Sequence, residues 1–152
     1  MSPAKQRAAI YTRTNESMTE FDQTTCTRTL AGLDCTLVTV CSDRPRSHEE
    51  FRLLRDMVEV GALDLVVTPA LHTLVHWSEA QTLVHDWLDR GIRIIAGTTD
   101  LQAERTRLTA SFRGGEAAFD LLLLSLAHYG SSRTAAFELA LGEAADRIAA
   151  SV

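Results

Sequence analysis

Four short runs rich in β-branched and aliphatic residues recur along the chain, at 8–11 (AAIY), 35–41 (CTLVTVC), 63–68 (LDLVVT) and 92–96 (IRIIA), with stretches of helical spacing between them. Each run is too short for a free-standing helix and long enough for a buried strand. The intervening stretches open on capping-box pairs, Ser17 with Glu20, Ser47 with Glu50 and Ser78 with Gln81, whose first side chain accepts from a free backbone N–H. Gly32, Gly61 and Gly91 stand where such helices would stop in a left-handed residue. Met18, Phe21, Thr25, Leu30 and Leu33 supply the inner stripe of the first helix, Phe51, Leu54, Met57 and Val58 that of the second, and Leu83, Val84, Trp87 and Leu88 that of the third. Strands alternating with helices need crossover connections, so the expected fold is α/β, a single doubly wound and mostly parallel sheet.

The part from Leu101 to Gly115 is polar and arginine-bearing, and the remainder of the chain reads as a long C-terminal helix. Leu121, Leu122, Leu123 and Leu124 are apolar all round one helical turn, and Leu126 extends the patch. A sheet covers one side of such a turn. A second subunit is the simplest cover for the rest, which predicts a homodimer or a higher even oligomer centred on 116–126. Gly130, Ser131 and Ser132 mark a break before Phe137, Leu139 and Leu141. The organisation expected is one domain over 1–152, with an α/β core at 7–98 and a helical, oligomerising region at 115–150.

Formal net charge is −5 and Lys5 is the only lysine, so the chain lacks the basic surplus with which nucleic-acid binders neutralise phosphates. Weak or no DNA binding is expected. Arg105, Arg107 and Arg113 form a small basic patch with only Phe112 interleaved, which reads as a solvated face. Cys26, Cys35 and Cys41 have no metal-ligand spacing and read as reduced thiols, one on a helix and two on a strand, in a cytoplasmic protein. No leader opens the chain, and no apolar run approaches the ~20 residues that cross a bilayer, so no membrane role is expected.

The chemistry concentrates at 7–17 (RAAIYTRTNES), a strand that ends in a polar corner. Side chains alternate along a strand, so Tyr11, Arg13 and Asn15 share one side if the backbone stays extended. Tyr-x-Arg-x-polar at the end of a first strand resembles the opening of the serine recombinases, the resolvase and invertase family. The resemblance runs over 7–98, and the terminal helix is similar to the family's dimerisation helix. It implies a sheet whose carboxyl edge holds a serine nucleophile and several arginines for phosphoryl transfer in DNA strand exchange. Tyr11, Arg13 and Asp43 match family positions. Asn15 stands where the family has its serine. His72, Thr73 and His76 stand in a segment (LHTLVH) where the family has arginines and an aspartate, and His48-Glu49 is the nearest match to an Arg-Pro that opens the second helix.

An amide cannot attack phosphorus, and loss of the guanidinium groups removes the charge that stabilises the transferring phosphoryl. The expectation is a catalytically inactive domain that requires no cofactor and acts as a self-associating scaffold or regulator, one version of which forms mixed oligomers with a protein partner. Two alternatives stay open: residual phosphate, nucleotide or metal binding by Arg13, Asn15, Asp43 and the histidines, with His72 and His76 four apart as a helix face that suits a metal; or an active recombinase with an unconventional nucleophile. For the latter Ser17 is better read as a helix cap, and Thr14 points away from Arg13.

Overall fold

Ala8, Ala9, Ile10 and Tyr11 are at most 1% exposed, as a run without alternation requires of a central strand covered on both faces. The computed structural model describes residues 5–14, 16–75, 77–111 and 113–127, with the backbone alone at 16–19, 77 and 78. Its elements are β1 (Gln6–Arg13), α1 (Glu16–Ala31), β2 (Cys35–Asp43), α2 (Glu49–Glu59), β3 (Leu65–Thr68), α3 (Leu71–Leu74), α4 (Trp77–Asp89), β4 (Arg93–Ala96), β5 (Thr99–Asp100), α5 (Leu101–Ser111) and α6 (Gly115–Ala127). The sheet order is β2-β1-β3-β4-β5. The first four strands are parallel, and β5 returns antiparallel beside β4. This is the expected mostly parallel α/β sheet. In the β1–β2 pair Ala8 lies opposite Leu37 and Ala9 opposite Thr39, leaving Val38 as an extra residue.

One face packs Ala8, Ile10, Leu65, Val67 and Ile95 against Cys26 and Leu30 of α1. The other buries Ala9, Tyr11, Val66 and Ile94 under the remaining helices, from Leu54 of α2 to Leu123 of α6. Phe21, expected to face inward, is 64% exposed, and Cys26 makes the inner contact in its place.

The helix boundaries correct several expectations. Because α1 opens at Glu16 and α4 at Trp77, Ser17 and Ser78 fall inside first turns and not at caps; their side chains lie outside the described residues. Ser47 does not cap α2 either, because the carboxylate of Asp43 takes that place. Gly61 and Gly91 take the left-handed conformation at φ 73° and 85°, whereas Gly32 does not. There the chain leaves the helix through right-handed turns, with Gly32 N–H donating to the Thr29 carbonyl at 3.3 Å and Leu33 N–H to that of Leu30 at 2.9 Å. The polar, arginine-bearing stretch before Gly115, to which the sequence spacing assigns no element, contains α5, which Leu101 and Leu108 anchor in the core two turns apart. Arg105 and Arg107 on it are bound to Asp89 at 2.9 Å and Glu104 at 2.6 Å, so those two guanidiniums are already paired.

In α6, Phe119, Leu123 and Ala127 are buried, while Leu121, Leu122, Leu124 and Leu126 are half-buried. Asn15, His76, Phe112 and everything after Ala127, including the break at Gly130 and the apolar Phe137, Leu139 and Leu141, lie outside the described residues. Among the described residues no helix is long and apolar enough to cross a membrane.

Candidate functional site at the carboxyl edge of the sheet

β1 is flanked by β2 and β3, so the connections from it run to opposite sides and leave a crevice at its carboxyl end, where open α/β sheets hold ligands. The residues that end the strands there are Arg13, Asp43 and Thr68. Arg13 and Asp43 are register partners.

Asp43 is 4% exposed and accepts at both oxygens. The Tyr11 hydroxyl donates to Oδ2 at 2.7 Å, Phe51 N–H to Oδ2 at 2.9 Å and Glu50 N–H to Oδ1 at 3.0 Å, with Ser47 Oγ at 3.3 Å from Oδ1. A strand-end carboxylate therefore caps α2 from outside the helix. This displaces the expected Ser47 cap, because a charged acceptor placed on two free N–H groups at a helix N-terminus outcompetes a neutral hydroxyl. Ser47 Oγ keeps a 3.5 Å contact to Glu49 N–H. Burial raises the Asp43 pKa, but the bonds from Tyr11, Glu50, Phe51 and Ser47 outweigh it and hold the group below its ordinary value.

Tyr11 is wholly buried, its ring meeting Phe51 edge-on at 5.7 Å and 72°. Phe51 in turn stacks on Trp87 of α4 at 6.3 Å. Burial first, then the bond to Asp43, pushes the Tyr11 hydroxyl pKa up, so it serves as a proton donor to the carboxylate. The same oxygen accepts from Arg13, with Nη2 at 2.8 Å and Nε at 3.2 Å. Arg13 thus reaches Asp43 through the phenol and not by the direct pairing that charge alone suggests.

Arg13 Nη2 is also 3.0 Å from His48 Nδ1, and because a guanidinium only donates, Nδ1 must accept and the ring proton sits on Nε2. Arg13 and His48 line a cleft of about 420 Å³ together with Pro45, Phe51, His72 and Glu79. Burial lowers the His72 pKa, opposed by the charge of Asp22 on α1.

The structure therefore brings Tyr11, Arg13, Asp43, His48 and His72 to one edge. Thr73 is on α3 and is buried. The helix α3 that bears His72 ends at Leu74, and Val75 is extended at φ −151°, ψ 144°; His76, the other half of the four-residue spacing, lies outside the described residues. Among the described residues no group of three potential metal ligands assembles.

Sequence reasoning missed Phe51 and Glu79 as lining residues, since nothing in their spacing separates a lining side chain from a stripe or surface residue. It also missed a second cleft of about 440 Å³ beside His85, Arg105 and Phe119. Near it His85 on α4 meets Asp120 on α6 at 2.8 Å, and Asp120 also accepts from Gln81 at 3.0 Å.

No protein-family model and no curated protein matches the chain. Solved structures do. The N-terminal catalytic domain of TP901-1 integrase shares 19% identity, covering 83% of this chain and 95% of its own at a TM-score of 0.56. A resolvase family site-specific recombinase from Streptococcus pneumoniae shares 14% identity over 92% of this chain and 99% of its own, with a TM-score of 0.60. The C-terminal catalytic domain of ISC1926 TnpA, an IS607-like serine recombinase, shares 14% identity over 74% of this chain and 93% of its own, with a TM-score of 0.52. The sheet and the helices around it have the fold of the serine recombinase catalytic domain.

Proposed function

We propose that this chain is a serine-recombinase-like domain that no longer cleaves DNA and works as a self-associating scaffold or regulator, assembling through α6. The observation that carries this reading is the composition of the cleft. Arg13 is the only arginine among the described residues lining it, and two of its three guanidinium nitrogens are engaged by Tyr11 and His48. Phosphoryl transfer depends on converging positive charge and a poised nucleophile. In this chain the position resembling the serine is Asn15, and the segment resembling an arginine-bearing one carries His72, Thr73 and His76. The half-buried leucines of α6 support assembly with a second copy, or with a related partner in mixed oligomers. The test is incubation with supercoiled plasmid followed by denaturing electrophoresis: neither nicks nor a covalent protein–DNA adduct is expected. An adduct at Ser17 or Thr14 overturns the reading.

A second reading, residual binding of a small anion, is favoured by the Arg13–His48 pair facing open space. Calorimetric titration with inorganic phosphate, comparing wild type with Arg13→Ala, tests it. Heat that vanishes in the variant supports it, and absence of heat in the wild type removes it.

A further inference from the structure

The side chains around the Arg13 cleft are of two kinds, polar ones toward solvent and apolar ones beneath them. Arg13, His48 and Glu79 are partly or fully exposed, whereas Leu74 and Val75 are buried and Phe51 is partly so. Three connections bring them together. Arg13 ends β1, His48 and Phe51 stand at the start of α2, Leu74 and Val75 close α3, and Glu79 lies in the first turn of α4. The volume of about 420 Å³ lies within the roughly 300–1,000 Å³ usual for small-molecule sites.

The donors are set before any ligand arrives. Nε and Nη2 of Arg13 both donate to the Tyr11 hydroxyl, itself held by Asp43, so the guanidinium plane is fixed and Nη1 is the nitrogen with no bond of its own among the described residues. Because His48 Nδ1 accepts from Nη2, the ring proton on Nε2 makes that atom a second donor. The apolar wall is fixed too, with Phe51 edge-on to Tyr11 and stacked on Trp87.

Charge then selects the head group. His48 is neutral in the tautomer that Arg13 imposes, and burial keeps the charge off His72, so the cleft holds one positive charge on Arg13 and one negative on Glu79. A phosphate dianion finds no surplus of positive charge there and is repelled by Glu79, whereas a single carboxylate pairs with Arg13 without a second cation. A polar body would lose its water against Phe51, Leu74 and Val75 and find nothing to bond.

We propose that this cleft binds a small monocarboxylate with an apolar, ring-sized body, the carboxylate on Arg13 Nη1 and His48 Nε2 and the body against Phe51, Leu74 and Val75, and that Glu79 turns dianions away. This rests on the anion-binding reading of the Arg13–His48 pair and names the class of anion.

Calorimetric titration of the wild-type chain at pH 8 with phenylacetate, acetate, phenyl phosphate and inorganic phosphate tests it. Phenylacetate should bind at least tenfold more tightly than acetate, which lacks the body, and than phenyl phosphate, which keeps the ring but carries two charges. Arg13→Ala should abolish the phenylacetate heat. Glu79→Gln, at an exposed position, should narrow the gap between phenylacetate and phenyl phosphate at least threefold. Acetate or phenyl phosphate binding as tightly as phenylacetate overturns the proposal, and so does a gap that Glu79→Gln leaves unchanged. Heat from inorganic phosphate with none from phenylacetate overturns it while leaving the anion-binding reading in place; no heat from any of the four removes both.

Discussion

The Tyr11 hydroxyl donates to Asp43 Oδ2 at 2.7 Å and accepts from Arg13 Nη2 at 2.8 Å, which makes one buried phenol the link between the cation of β1 and the carboxylate that caps α2. This arrangement has a structural reason of its own. Asp43 satisfies two N–H groups at the start of α2, and Tyr11 holds the carboxylate in place.

Asp43→Ala should therefore destabilise the fold by about 2–3 kcal/mol, since it strips the helix cap and orphans the buried phenol. Asp43→Asn keeps an acceptor and should cost less. Tyr11→Phe removes only the hydroxyl and should cost about 1–2 kcal/mol, with Arg13 left to its contact with His48. Urea denaturation followed by circular dichroism orders the three. If Tyr11→Phe proves the most damaging, the carboxylate is not the organising group.

Asp43 and His72 both shape the acid side of the stability profile. Asp43 has a depressed folded pKa, so its contribution is complete above its ordinary value of 3.8 and is lost as pH falls through the lower folded value. His72 is a base whose folded pKa is depressed by burial, so the folded state binds fewer protons than the unfolded chain as pH falls past 6.5. Stability should begin to fall there and keep falling until His72 is charged in the folded state as well. Asp22, whose own pKa burial raises, moderates the loss by facing His72. Thermal melts of wild type and His72→Gln between pH 7 and pH 5 check this: the variant should show the shallower slope, and equal slopes would remove His72 as the cause.

The sheet was legible because each of its parallel strands announces itself as an apolar run, and the helices because their inner stripes repeat at helical spacing. What escaped were features decided across the fold. The cap of α2 comes from Asp43, seven residues upstream of Glu50 in sequence, and local pattern offered Ser47 in its place. The helix α5 has an inner stripe of only Leu101 and Leu108, too sparse to stand out from its polar neighbours. Convergence of Arg13, His48 and His72 on one cleft is implied by the family resemblance and strand order. The pairing of Arg13 with a neutral imidazole is not, because it depends on where the loop after β2 places His48.

Gly115 offers a case where helix propensity and packing disagree in sign. It opens α6, and a Cβ there would run into the backbone of Leu108 on α5. Alanine is intrinsically the better helix residue by about 1 kcal/mol, yet the clash is with main chain that cannot rotate aside. Gly115→Ala should therefore destabilise, by about 1–3 kcal/mol as overpacking does, and lower the melting temperature. A stabilised variant would mean that α5 and α6 are less closely apposed than this.

The leucines of α6 separate folding from assembly. Leu123 is 1% exposed and packs in the core, so Leu123→Ala should cost about 2–5 kcal/mol and Leu123→Asp should unfold the chain. Leu121 and Leu124 are half-buried on other sides of the same turn and are left partly open by the described helices. If a second copy covers them, Leu121→Asp with Leu124→Asp should retain the native circular dichroism spectrum and halve the mass measured by sedimentation equilibrium. If residues after Ala127 fold back over them, the same pair of changes should lower stability and leave the mass alone. A wild-type protein that stays monomeric at high micromolar concentration rules out assembly through this helix, and with it the scaffold function that depends on it.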